Sequence, residues 1–102
     1  MKITFKKQPR ATGLSAVGRP YPNVDVKVDK KEVGYILAPT FSSVDGKLGI
    51  QIAVEVRKHE NCSWSWTMCQ QRFDNEEKAR EGAKLFIEQI VKSGLELHYF
   101  ED

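Results

Sequence analysis

The chain has 102 residues, of which 40% are apolar and 29% charged, a composition typical of one globular domain. It contains no apolar run long enough to span a bilayer, which excludes a protein with helical membrane spans. The net charge of +2 divides unevenly: residues 1–31 carry eight basic and two acidic side chains, and residues 32–102 carry eight basic and twelve acidic ones. We therefore expect a single domain, residues 1–102, in which a basic N-terminal segment is attached to an acidic body or the two oppositely charged ends neutralise one another in the fold.

The N-terminal third alternates between strand patterns and one long irregular stretch. Residues 2–7 alternate apolar and polar side chains, which predicts a short strand with one buried face. Residues 8–22 contain three prolines and two glycines without periodicity, which predicts a long irregular basic loop. Strict alternation then predicts a strand over 24–28, a charged turn over 29–32 and a second strand over 33–38.

The middle of the chain predicts a long hairpin. Asp45-Gly46 is a strong turn signal, and residues 48–58 follow it as one predicted strand. Alternate apolar side chains place one face of that strand in the core: Leu48, Ile50, Ile52, Val54 and Val56. After a turn near 59–61, the segment up to Phe73 is predicted to return as the partner strand.

The C-terminal third predicts one helix and a last strand. Asp74 is predicted to cap a helix over about 75–93, with Glu77 completing a capping box and Gly94 ending it. Apolar residues at helical spacing predict its buried stripe: Ala79, Ala83, Phe86, Ile87, Ile90 and Val91. Residues 95–100 alternate as a final strand. The predicted fold class is α+β, an antiparallel sheet of about five or six strands with the helix on one face.

Two registers are open for the hairpin that contains both tryptophans. A three-residue loop places Trp64 and Trp66 on the core face beneath the helix, whereas a four-residue loop places them opposite Arg57 and Glu55 on the open face. Asn61, which tolerates a left-handed turn conformation, favours the three-residue loop. The polar Ser65 and Thr67 between and after the indoles favour it too, so we expect the indoles in the core and these two residues on the open face.

Catalytic and metal-binding patterns are weak in this sequence. His59 and Cys62 have the spacing of half a zinc site, but four converging ligands are not indicated. A cysteine–histidine nucleophile pair would need Cys62 or Cys69 beside His59 or His98, and we favour structural thiols and surface histidines instead. The cysteines are predicted to stay reduced, because an N-terminus without an apolar secretion signal predicts a cytoplasmic protein. We expect no enzyme, no cofactor and no metal.

Binding is the remaining class of function. We predict a small cytoplasmic module that docks on a larger protein as an inhibitor, adaptor or accessory subunit, of the kind that phages and mobile elements encode. The alternative is a nucleic-acid-binding protein that uses the basic N-terminal segment and the sheet face, and a homo-oligomer is also left open. The sequence pI of about 8.6 is below the range typical of dedicated nucleic-acid binders. The candidate partner-binding residues are Lys6, Lys7, Arg10, Arg19, Tyr21, Arg57, Ser65 and Thr67.

Overall fold

A computed structural model of the chain describes residues 1–7, 22–42 and 44–100. Within these residues it contains eight strands and one helix: β1 Ile3–Lys7, β2 Pro22–Val28, β3 Lys31–Leu37, β4 Thr40–Phe41, β5 Leu48–Gly49, β6 Ile52–Arg57, β7 Ser65–Met68, α1 Glu76–Lys92 and β8 Glu96–Leu97. The predicted basic loop at 8–22 lies outside the described residues, except for Pro22. No helix in the described part of the chain has the length and apolar character needed to cross a bilayer.

Six of the strands form one antiparallel sheet with the order β1-β2-β3-β6-β7, in which β8 also pairs with β6. The His98 amide donates to the Glu55 carbonyl, and the Phe100 amide donates to the Glu32 carbonyl. The C-terminal segment therefore lies between the end of β6 and the start of β3. The predicted α+β class, with an antiparallel sheet of five or six strands and one helix in the C-terminal half, is confirmed.

Two turns form where the sequence predicts them. Asp29 and Lys30, between β2 and β3, both have positive φ angles, 50° and 73°, as a two-residue hairpin turn requires. Gly46 has a φ of 69° in the hairpin that joins β4 and β5. The predicted continuous strand over 48–58 is wrong, however, because Leu48 pairs with Phe41 in this small separate hairpin and is 55% exposed.

The helix begins two residues after the predicted cap. Asn75, with extended backbone, is the N-cap, and its Oδ1 accepts a hydrogen bond of 2.9 Å from the Lys78 amide. Asp74 instead forms an ion pair of 3.5 Å with the Lys78 ammonium group. Gly94, with a φ of 83°, follows the C-cap, as the sequence predicts. The predicted cap at Asp74 is wrong because its neighbour Asn75 supplies the same short acceptor one residue later.

One face of the helix packs on the sheet. Its buried residues are Ala79, Ala83, Ile87 and Ile90, whereas Val91, which the sequence places in the same stripe, is 46% exposed. The sheet side of the core contains mainly Val and Ile: Val24, Val26, Val28, Val33, Ile36, Ile50, Ile52, Val54 and Val56. The core is therefore mainly aliphatic, with Phe73 as its one buried ring among the described residues.

The helix carries small residues where it faces the core. A Cβ added to Gly82 would lie 2.1 Å from the tip of the Phe73 ring, and Ala79 and Ala83 beside it are fully buried. Interiors are packed at nearly crystalline density, so a core lined this closely has little volume for further rings.

Candidate functional site

The register of the tryptophan hairpin is the four-residue-loop alternative. Glu55 of β6 lies opposite Trp66 of β7, and the Cys62 amide donates to the His59 carbonyl across the turn. Trp66 is 48% exposed. The prediction that Trp64 and Trp66 belong to the core is therefore wrong, and the indoles lie on the sheet face opposite the helix.

Ring packing gives a physical reason for this register. The helix side of the sheet is filled by aliphatic side chains against Ala79, Ala83 and Gly82, whereas the open side supplies other rings beside each indole. Burial favours an indole by roughly 1.5–3 kcal/mol only where a cavity of its size exists. The open face offers partial burial without overpacking, so the indoles lie there.

Five rings and one guanidinium group form a continuous row on the open face, which we call the aromatic ladder. Its first three members belong to β6, the segment before β7 and the segment after β8. The Arg57 guanidinium lies 4.2 Å from the centre of the Trp64 ring, and the Trp64 and His98 rings stack at 4.4 Å with 12° between their planes. Its members in spatial order are Arg57, Trp64, His98, Phe100, Trp66 and Tyr35.

The second half of the ladder crosses back to β3. The His98 and Phe100 ring centres are 4.5 Å apart, and Phe100 stacks on Trp66 at 5.9 Å. Trp66 in turn stacks on Tyr35 at 5.7 Å. Three segments that are distant in sequence thus contribute rings to one surface, and β6 contributes the Arg57 guanidinium.

Arg57 fixes one end of the ladder. Its Nε donates to Glu96 Oε2 at 2.8 Å and its Nη2 donates to Glu96 Oε1 at 3.0 Å, a two-pronged ion pair. The hydrogen bonds from Arg57 lower the pKa of the Glu96 carboxyl, and the same bonds raise the pKa of the Arg57 guanidinium. The pair holds the planar guanidinium against the Trp64 ring as a cation–π contact.

Two carboxylates lie beside the ladder. Glu55 Oε2 lies 3.3 Å from Nδ1 of His98, and Glu96 is paired with Arg57. Two carboxylates therefore accompany one guanidinium group, which disfavours a polyanionic ligand at this surface.

Part of the ring surface is used within the ladder. Trp64 and His98 are nearly parallel at 4.4 Å, a separation at which their faces overlap, and the Arg57 guanidinium also lies over the Trp64 ring. Faces that are used within the ladder are not available to stack on a ligand ring. Trp66, which is 48% exposed, belongs to the accessible part.

The predicted partner-binding residues are dispersed by the fold. Arg57 lies in the ladder, whereas Ser65 and Thr67 face the helix side of β7, so their predicted position on the open face is wrong because the register differs by one residue. Lys6 and Lys7 are exposed on β1, where Lys7 forms an ion pair of 3.2 Å with Glu76. The other three predicted residues lie outside the described part of the chain: Arg10, Arg19 and Tyr21.

His59 and Cys62 do meet in the turn, with 3.2 Å between Nε2 and Sγ. The Nδ1 atom of His59 accepts a hydrogen bond from the Asn61 amide, so the proton of the neutral imidazole is on Nε2. The imidazole therefore donates to the sulfur and cannot take a proton from it through that atom. Among the described residues, no group of three or more side chains is placed to hold a metal ion.

A small pocket lies beside the β4–β5 hairpin. Its volume of about 170 Å³ is well below that of typical cofactor sites, which are about 300–1,000 Å³. Arg72, in its wall, donates to the carbonyls of Thr40 and Gly49 and so secures the hairpin to the domain. The pocket is better explained as packing around this arginine than as a ligand site.

A comparison with protein-family models, with curated proteins and with solved structures finds no match to the chain. The ladder must therefore be interpreted from its own chemistry. Sequence reasoning did not select Tyr35, His98 and Phe100, although the alternation of 33–38 and 95–100 could have placed them on the face opposite Ile36 and Leu97. The sequence signal that could have placed the indoles on the open face is the pattern of small residues on the helix, which leaves no space for indoles in the core.

Proposed function

We propose that the chain is a non-enzymatic binding module that docks on a partner protein through the aromatic ladder. The observation that supports this most directly is the row of half-exposed rings that includes Trp66 at 48% exposure and adjoins Met68 at 39%. Contiguous exposed apolar surface on a small domain marks an interaction site, and Trp, Tyr and Arg are the residues that contribute most at protein interfaces.

The ladder is also rigid, which favours tight docking. Each ring is held by a ring or by Arg57 on at least one side, and the Arg57–Glu96 pair limits movement of the guanidinium. Side chains that are already ordered lose little conformational entropy when a partner binds.

A single-stranded nucleic acid is the second candidate ligand, since exposed aromatics on a sheet are also the platform on which such proteins stack bases. The rings of this chain do lie on the open face of the sheet. Two other features favour a protein. Ring faces are occupied by neighbouring rings, and Glu55 and Glu96 place negative charge beside them.

Site-specific photo-crosslinking tests the proposal. A photoreactive amino acid at Met68, beside the ladder, should capture in cells a protein other than a second copy of this chain, whereas the same amino acid at Leu85 should not. Leu85 is the matched control because it is apolar, 61% exposed and on the helix side of the domain.

The adduct should survive nuclease treatment and should be lost when Trp66→Ala removes the ladder ring between Phe100 and Tyr35. Equal capture from both positions, or adducts that contain nucleic acid, would contradict the proposal. A direct control measures binding of labelled oligothymidylate and oligouridylate at about 0.15 M salt, where exposed charges are screened over roughly 8 Å. We expect no binding there.

A further inference from the structure

The two edges of the sheet are protected to different degrees. β1, at one edge, contains Lys6 and Lys7 and follows Lys2. Residues 61–71, which include β7 at the other edge, contain no charged residue, no proline and no glycine. Native proteins normally protect edge strands with such residues, because an open edge pairs with other strands.

The outer backbone groups of β7 can be assigned from one hydrogen bond. The Cys69 amide donates 2.9 Å to the Ile52 carbonyl of β6, so Cys69 directs its backbone groups toward the sheet. In an antiparallel pair these directions alternate along the strand. The N–H and C=O groups of Trp66 and Met68 therefore point outward, and no strand of the described residues pairs with them.

We infer that β7 pairs with β7 of a second copy, which joins two sheets into one continuous antiparallel sheet. Charge is the first reason for choosing a second copy as the occupant. Because residues 61–71 are uncharged, self-pairing places no like charges opposite each other, whereas pairing of two β1 edges would oppose lysines.

Side-chain size is the second reason. With the two-fold axis beside Thr67, Trp66 of each copy lies opposite Met68 of the other on the open face, and the two Thr67 side chains meet on the helix side. Trp66 and Met68, the apolar residues that would be covered, are 48% and 39% exposed in the single chain. Large side chains meet large ones and small ones meet small ones, as a self-complementary interface requires.

This geometry covers part of Trp66 and leaves the other members of the ladder accessible. The two-fold axis of an antiparallel strand pair is perpendicular to the sheet, so both open faces lie on the same side and the two ladders adjoin. The inference does not depend on what the ladder binds, and a failure of either proposal leaves the other intact.

The test measures the mass of the full chain by sedimentation equilibrium from about 1 μM to about 1 mM, the range of weak specific association. We expect a monomer–dimer equilibrium whose dissociation constant rises by about tenfold or more in Thr67→Lys, which opposes two lysines across the axis. Gln89→Lys adds the same charge on the exposed helix surface and should leave the constant unchanged.

Met68→Pro is a second variant that should weaken the dimer, because it removes an outward N–H without removing a hydrogen bond to β6.

Amide hydrogen exchange in the unmodified chain provides a measurement that needs no variant. The Trp66 and Met68 amides should exchange more slowly at high than at low protein concentration. A monomer at all concentrations, a dimer without this protection, open-ended assembly, or equal effects of Thr67→Lys and Gln89→Lys would each overturn the inference.

Discussion

The two faces of the six-stranded sheet differ in the side chains that they carry. The helix side is lined by Val, Ile and Ala and is closed by α1, with Val24, Ile52 and Ile87 fully buried. The open side carries Tyr35, Trp64 and Trp66 together with rings from the C-terminal segment. Both faces are apolar, yet only one is covered.

This difference shows that the size of a side chain, as well as its hydrophobicity, decides which face of the sheet it occupies. Helix residues Ala79 and Ala83 are fully buried and Gly82 lies against the Phe73 ring, so this closely packed core has little volume for further rings. Rings that cannot enter the core pack on one another, and their remaining exposure creates an interaction surface.

Truncation on the helix side should give the largest effect on stability. Ile52→Ala removes a side chain that is 0% exposed, and we expect the free energy of unfolding to fall by about 2–5 kcal/mol. Denaturant unfolding monitored by circular dichroism measures this loss. A cost below that of truncating Trp66 would contradict the contrast between the two faces.

Enlargement of the same face tests whether the core is too thin for rings. Val54 is fully buried, and Val54→Phe should destabilise the fold by about 1–3 kcal/mol through overpacking. Val54→Ile, a smaller increase in volume, is the control and should cost less. If the core accepts a phenyl ring at no cost, the explanation for the position of the indoles fails.

Truncation on the open face should have a smaller effect than Ile52→Ala, although a larger side chain is removed. Trp66→Ala should lower the free energy of unfolding by about 1–3 kcal/mol, since it loses contacts with two rings worth about 0.5–1.5 kcal/mol each. Acrylamide should quench the tryptophan emission of the native protein efficiently, because Trp66 is 48% exposed. Native emission that acrylamide does not reach would place the indoles in the core after all.

The ion pair at the end of the ladder should give the smallest effect, visible through pH. Because the pKa of Glu96 is lowered in the folded state from its ordinary value of 4.5, its stabilisation is present above that pH and is lost as the pH falls through the folded-state pKa. The free energy of unfolding of Glu96→Gln should therefore be lower than that of the unmodified chain near neutral pH, and the two values should converge in acid.

Arg57→Gln breaks the same pair from the other side and should show the same convergence in the pH profile of unfolding. A difference for Glu96→Gln that is constant across this pH range would show that the Arg57–Glu96 pair is not its source.

Much of the fold follows from local sequence patterns. Alternation predicts the strands of the sheet, helical spacing predicts α1 to within one residue at each end, and Asp45-Gly46 and Gly94 predict turns with positive φ. Each of these features depends on residues close together in sequence. The helix N-cap is Asn75, one residue after the predicted Asp74, because both residues are good caps.

The sequence by itself determined that this chain forms an antiparallel sheet with one helix on it, since backbone propensity and binary patterning are local properties. Only the tertiary structure decided which face Trp64 and Trp66 occupy. A shift of one residue in the hairpin exchanges the two faces of β7, and the alternation of the strand is the same in both registers. The choice depends on how α1 and Phe73 fill the core and on rings supplied by Tyr35, His98 and Phe100, and these long-range contacts exist only after the chain has folded.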